Sequence, residues 1–118
     1  MRDALHDDDR QRIRCELTAV LQEARDALAR TERARADLAA DCLLDAADAA
    51  ERAAAGERLD ADAALCADRI RRVSEALHRV TEGTCDPCVN CGEPIGRERL
   101  LALPTTTLCV DCSAARAV

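Results

Sequence analysis

The sequence predicts a mostly α protein: a long antiparallel helical hairpin, packed as a coiled coil, with a C-terminal four-cysteine finger and a short C-terminal helix. Three observations predict it. No Gly or Pro occurs from Arg10 to Cys42. Two apolar stripes with helical spacing face each other across a reversal of the chain. Two C-x2-C pairs close the sequence, as Cys88/Cys91 and Cys109/Cys112.

Residues 1–9 are polar and acidic and read as a flexible arm. Asp7, Asp8 or Asp9 suits a helix start, where a carboxylate meets free backbone N–H groups and the positive end of the helix dipole. The hairpin is expected over 10–83. Its first stripe is Ile13, Leu17, Leu21, Ala24, Leu28, Thr31, Leu38 and Cys42, interrupted by Arg35. Most steps are three or four, the period of one helix face. The second stripe is Leu59, Ala63, Cys66, Ile70, Val73, Leu77 and Val80, with alternating steps of four and three, a coiled-coil seam. In an antiparallel hairpin, paired positions sum to a near constant. Leu38/Leu59, Leu28/Ile70, Ala24/Val73, Leu21/Leu77 and Leu17/Val80 all sum to 97 or 98. That register favours self-pairing and a monomer over a dimeric coiled coil, and it puts the turn near residues 48–49. Gly56 lies just past that turn and is available to help the chain reverse. Gly83 is placed to end the second helix as its C′ residue.

The composition changes at Gly83. From there on come all three prolines, three of the four glycines and five of the eight cysteines. Residues 84–118 therefore form the finger and the short helix. The spacing C-x2-C-x17-C-x2-C lets each tight turn aim two thiolates at one tetrahedral ion. Gly92 permits a left-handed turn after the first pair. The 17-residue insert is long enough for a short hairpin, with bends at Pro94, Gly96 and Pro104. Cys88, Cys91, Cys109 and Cys112 are the expected ligands of a structural Zn²⁺. Four thiolates leave no open position for a catalytic water. Cys85 extends the first pair to C-x2-C-x2-C and reads as a free thiol beside the site. Cys15, Cys42 and Cys66 read as small hydrophobes.

Residues 41–51 hold Asp41, Asp45, Asp48 and Glu51 and no basic residue. Asp45 and Asp48 are one helical turn apart, and the surrounding alanines leave both carboxylates prominent. An acidic tip near 45–50 has two readings: a solvated bend with capping aspartates, or a functional pair. An exposed tip without a pocket is poor ground for catalysis, and no enzyme is expected.

The 118 residues carry a net charge of −6 and contain no Phe, Tyr or Trp. The charge argues against binding a phosphate backbone. The missing aromatics remove the stacking platforms of single-strand binders. No apolar run approaches the ~20 residues of a membrane span. The acidic start lacks the apolar stretch of a signal peptide. A cytoplasmic protein is expected, in which cysteines serve as ligands or thiols before disulfides.

The motifs resemble the DksA/TraR regulators of bacterial RNA polymerase. The finger, from Cys88 to Cys112, is similar to the family pattern C-x-x-C-G-x-x-I-G-x-x-R-L-x-A-x-P-x-x-x-L-C-x-x-C. Asp45-x-x-Asp48-x-Ala50 is similar to the family's D-x-x-D-x-A at the hairpin tip. The resemblance covers about residues 12–113. It implies a factor that inserts its hairpin into the polymerase secondary channel, brings Asp45, Asp48 and Ala50 to the active centre, and alters open-complex stability at initiation without specific DNA contact. For ppGpp it implies one basic contact, Arg72. Leu103 and Ser113 stand where responsive members carry basic residues, which argues against ligand synergy. The alternative is a zinc-finger adaptor or nucleic-acid module in which the hairpin is a spacer and Arg97 and Arg99 form the binding surface.

Overall fold

The computed structural model describes residues 3–41 and 46–116. Four helices follow in order: α1 (Asp7–Ala40), α2 (Ala46–Glu82), α3 (Arg97–Ala102) and α4 (Val110–Arg116). The first two, of 34 and 37 residues, form the hairpin. Among the described residues no strand forms. The only β feature is an isolated antiparallel bridge, Pro87 to Pro94.

The acidic start is used rather than left as an arm. Helix α1 begins at Asp7, with Asp7, Asp8 and Asp9 in its first turn. Asp9 reaches back so that its Oδ2 accepts the His6 N–H at 3.0 Å. This is one half of a capping box, and it satisfies a donor at the helix start. Leu5 and Asp9 are both buried. The end of α2 is a Schellman motif. Gly83 takes φ 75°, its N–H donates to Val80 O at 3.3 Å, and the Thr84 N–H donates to Arg79 O at 2.9 Å. A residue with a Cβ resists that φ, which is why the helix stops where the glycine stands.

The chain divides into two compact units. One comprises Met1–Val20 and Arg72–Val118. Its core collects Leu5, Ile13 and Leu17 with Val73, Ala76 and Val80, and adds Cys85, Ile95 and Leu100 from beyond α2. The other unit is Leu21–Arg71, the bend end of the two helices. There Leu21, Ala24 and Ala63 are buried, and the seam residues Leu28, Thr31, Leu38, Leu59, Cys66 and Ile70 are half-buried.

In the bend-end unit the register departs from expectation. Leu38 packs at Gly56, and Arg35 pairs with Asp60 at 3.0 Å. These pairs sum to 94 and 95, about three residues short of 97 or 98. Helix α1 ends at Ala40 and α2 begins at Ala46, so residues 48–49 are helical and not the turn. The reason is the stripe itself. Gly56, Leu59 and Ala63 are spaced three and four apart, so a slip of three keeps apolar residues opposite Leu38. Periodicity cannot separate the two registers.

Gly56 is thus inside α2, not a turn residue. Leu38 Cδ2 comes to 3.8 Å from the point a Cβ would occupy, an ordinary van der Waals distance. Gly56→Ala should therefore stabilise the protein by roughly 0.5–1 kcal/mol, the helix-propensity gain of alanine over glycine. Urea unfolding at fixed zinc would read it. A destabilised variant would mean that α1 sits closer to Gly56 than this.

Candidate metal centre and hairpin bend

Each cysteine pair is set by local backbone bonds. In the first, the Cys88 N–H donates to Glu93 O at 2.8 Å and the Gly92 N–H donates to Cys88 O at 2.9 Å. Gly92 supplies the left-handed φ of 77° that closes this turn. In the second, Cys109 precedes α4. The Ser113 N–H donates to Cys109 O at 2.9 Å, and the Cys112 N–H approaches Cys109 Sγ at 3.5 Å. The Val89 N–H donates to Thr107 O at 2.9 Å and draws the two pairs together. The insert between them holds α3, not the expected hairpin. Gly96, at φ 98°, opens that helix, and the Ile95 N–H donates to Asp86 O at 2.7 Å just before it.

The four sulfurs of Cys88, Cys91, Cys109 and Cys112 all lie within 4.8 Å of one another. Cys91 and Cys109 are 3.8 Å apart. A tetrahedron with Zn–S bonds of ~2.3 Å has edges of about 3.8 Å, so the donor set fits zinc. Cys88 and Cys109 are buried. Asn90 Nδ2 donates to Cys112 Sγ at 3.3 Å, the kind of outer contact that orients a ligand. The N–H groups of Cys109 and Cys91 facing its sulfur bring the Cys88 thiol down to about 6. Against the Glu93 N–H, which lowers it, burial and hydrogen bonds with the other three cysteines push Cys91 up to about 12. The Cys112 N–H brings the Cys109 thiol down as well, so the four crowded thiols pull one another in both directions, as expected of ligands whose charges a dication would neutralise together.

Cys85 lies outside the cluster. It is buried, and desolvation pushes its thiol up, which makes it an unreactive structural cysteine. Cys66 is half-buried, but Cys15 is exposed and does not behave as a core hydrophobe. Cys42 lies outside the described residues.

Asp48 and Ala50 are exposed at the start of α2, with Asp48 in its first turn. Asp45 lies outside the described residues. A groove of about 480 Å³ does open near the bend, lined by Leu38, Ala39, Ala49, Ala53 and Gly56 with Arg35, Arg52 and Asp60. Among its lining residues Asp60 is paired with Arg35, and the Arg52 guanidinium donates to Leu38 O. Among the described residues, no nucleophile or acid–base pair lines it. Arg72 is exposed on α2.

Sequence reasoning missed one contact. The Arg97 guanidinium grips the Asp9 carboxylate in a fork, Nε to Oδ2 at 2.6 Å and Nη2 to Oδ1 at 3.0 Å. The hydrogen bond from Arg97 holds Asp9 down to about 2, aided by the His6 N–H. Arg99 Nε donates to Leu108 O at 2.9 Å. Asp9 thus neutralises Arg97, while Arg99 keeps its charge and lends its Nε to the finger backbone. A sequence separation of 88 hides the pair from any local pattern.

Residues 81–116 match the family described as the prokaryotic dksA/traR C4-type zinc finger. The finger is of the DksA/TraR family. The RNA polymerase-binding transcription factor DksA of Caulobacter vibrioides is 45% identical over 42 residues, 36% of this chain and 30% of that protein. An uncharacterised protein of Aquifex aeolicus is 39% identical over 44 residues, 37% of this chain and 30% of its own length. The matched segments thus span under a third of these curated relatives. The likeness in fold runs further than the DksA/TraR finger. The structure of transcription factor DksA2 from Pseudomonas aeruginosa matches with a TM-score of 0.83 at 27% identity, over 94% of this chain and 84% of that one. The mostly helical fold with its hairpin and four-cysteine site is therefore similar to that of DksA2 over most of the chain. Among the described residues, no helix is long and apolar enough to cross a membrane.

Proposed function

We propose that this chain is a bacterial transcription regulator. It enters the secondary channel of RNA polymerase with its hairpin and alters open-complex stability at initiation, without specific DNA contact and without catalysis. One observation carries the reading. The likeness to DksA2 covers 94% of the chain, and so includes the hairpin as well as the finger. On that scaffold Asp48 stands exposed at the start of α2, in an acidic stretch without a base. The charge of −6 suits a factor that binds a protein partner, not one that grips DNA. The four cysteines hold a structural zinc. The protein works as a monomer in the cytoplasm. Arg72 is its one basic ppGpp contact, and ppGpp adds little to its effect.

The adaptor alternative draws less support, since Asp9 neutralises Arg97 and Leu108 O takes the Nε of Arg99. A photo-crosslinking amino acid tests the reading directly. Placed at exposed Ala50, it should capture the polymerase subunits that line the secondary channel. Placed at exposed Val89 on the finger, it should not reach those surfaces. Capture from Val89 with none from Ala50 would move the function to the finger.

A further inference from the structure

Arg97 sits in the insert between the two cysteine pairs, yet it holds the opposite end of the chain. Its N–H donates to Asp3 O at 2.8 Å, and its guanidinium fork takes both oxygens of Asp9. Asp9 in turn receives the His6 N–H at the start of α1. Leu5, on the same short segment, is buried. All of these residues belong to one compact unit with the cysteines.

The insert has little with which to hold its own shape. Helix α3 is six residues long, and the fully buried apolar side chains of the insert are Ile95, just before that helix, and Leu100 within it. Segments this small usually need a metal or another cross-link to hold their shape. Closing the cysteine pairs around an ion would therefore help to fix the geometry of Arg97. Charge-assisted, bidentate contacts are among the stronger polar interactions and demand that geometry.

We propose that the start of α1 is a thermodynamic partner of the zinc site: closing the finger on zinc orders residues 3–9 through Arg97, and residues 3–9 in turn tighten the zinc. Reciprocity is required, because a coupling free energy between two sites acts equally in both directions. Asp9 is not a ligand. It is a positioning residue that acts through Arg97, and the device works whatever partner the protein has.

The test uses the full chain and zinc itself. Zinc affinity is measured by competition with a chromophoric chelator for wild type, Asp9→Asn, Arg97→Gln and the double variant. Each single substitution should weaken zinc about tenfold, equivalent to ~1.4 kcal/mol. The double variant should lose no more than either single one, because both remove the same link. Asp7→Asn serves as control: Asp7 is in the same acidic turn but pairs with Arg10 at the surface, and zinc affinity should not move. Hydrogen exchange supplies the reverse arm. Chelating zinc from wild type should raise exchange over residues 3–14 to the level seen in zinc-loaded Asp9→Asn. Unchanged zinc affinity in Asp9→Asn, additive losses in the double variant, or protection over 3–14 that survives chelation would each overturn the proposal. Should Asp9→Asn fold poorly, Arg97→Lys keeps the charge and loses the fork; wild-type zinc affinity in that variant would equally sink it.

Discussion

Asp48→Asn should reduce the effect of this protein on promoter-specific transcription to that of a reaction with none added, while its binding to polymerase and its stability persist. The substitution is close to isosteric and removes one charge. Asp48 is exposed in the first turn of α2. A carboxylate there interacts with the helix dipole for ~0.3–1 kcal/mol at most. A typical domain holds about 5–15 kcal/mol in reserve, so folding tolerates the change. A charge that works in the low-dielectric interior of another enzyme has a far larger role than one in water. The effect on function should therefore greatly exceed the effect on stability. In-vitro transcription from a ribosomal promoter with purified polymerase, with binding followed in parallel, separates the two. Full activity in Asp48→Asn would remove the acidic bend from the mechanism. Loss of binding together with activity would make Asp48 an affinity contact instead.

The second large effect is removal of the metal. Chelation, or Cys109→Ser, should unfold the finger and leave most of the helical signal. Cys109 is 1% exposed and touches Cys91 and the Cys112 N–H. Structural zinc contributes on the order of 10 kcal/mol or more in small fingers, as much as a whole domain's net stability. The finger cannot replace that with its own core, of which Ile95 and Leu100 are the main apolar members. Helices α3 and α4 hold six and seven residues, against 34 and 37 in α1 and α2. Far-ultraviolet circular dichroism should accordingly fall by a minor fraction, while amide exchange over residues 85–112 rises to the unprotected rate. A cooperative loss of the whole helical signal would show that the hairpin depends on the finger throughout. An unchanged exchange pattern would show that the cysteines need no metal.

The amino-acid sequence by itself determined the parts whose causes are local. A stretch without Gly or Pro and with apolar steps of three and four becomes helix wherever its stripe can be buried. Gly83 ends α2 because a single residue with positive φ completes the Schellman bonds. The ligand set Cys88, Cys91, Cys109 and Cys112 was legible because two residues between thiols suit one tetrahedral ion. The tertiary structure alone decided what depends on distant or degenerate choices. The register of Leu38 against Gly56, and with it the end of α1 at Ala40 and the start of α2 at Ala46, was one of two matches that the same stripe permits. Helix α3 displaced a hairpin in the insert because Gly96 opens a helix that buries Leu100. The pairing of Asp9 with Arg97 joins residues with no sequence relation; only the folded unit brings them within 2.6 Å. Burial there turned an apparent acidic arm and an apparent surface cation into a structural ion pair, because a charge taken out of water persists only beside its opposite.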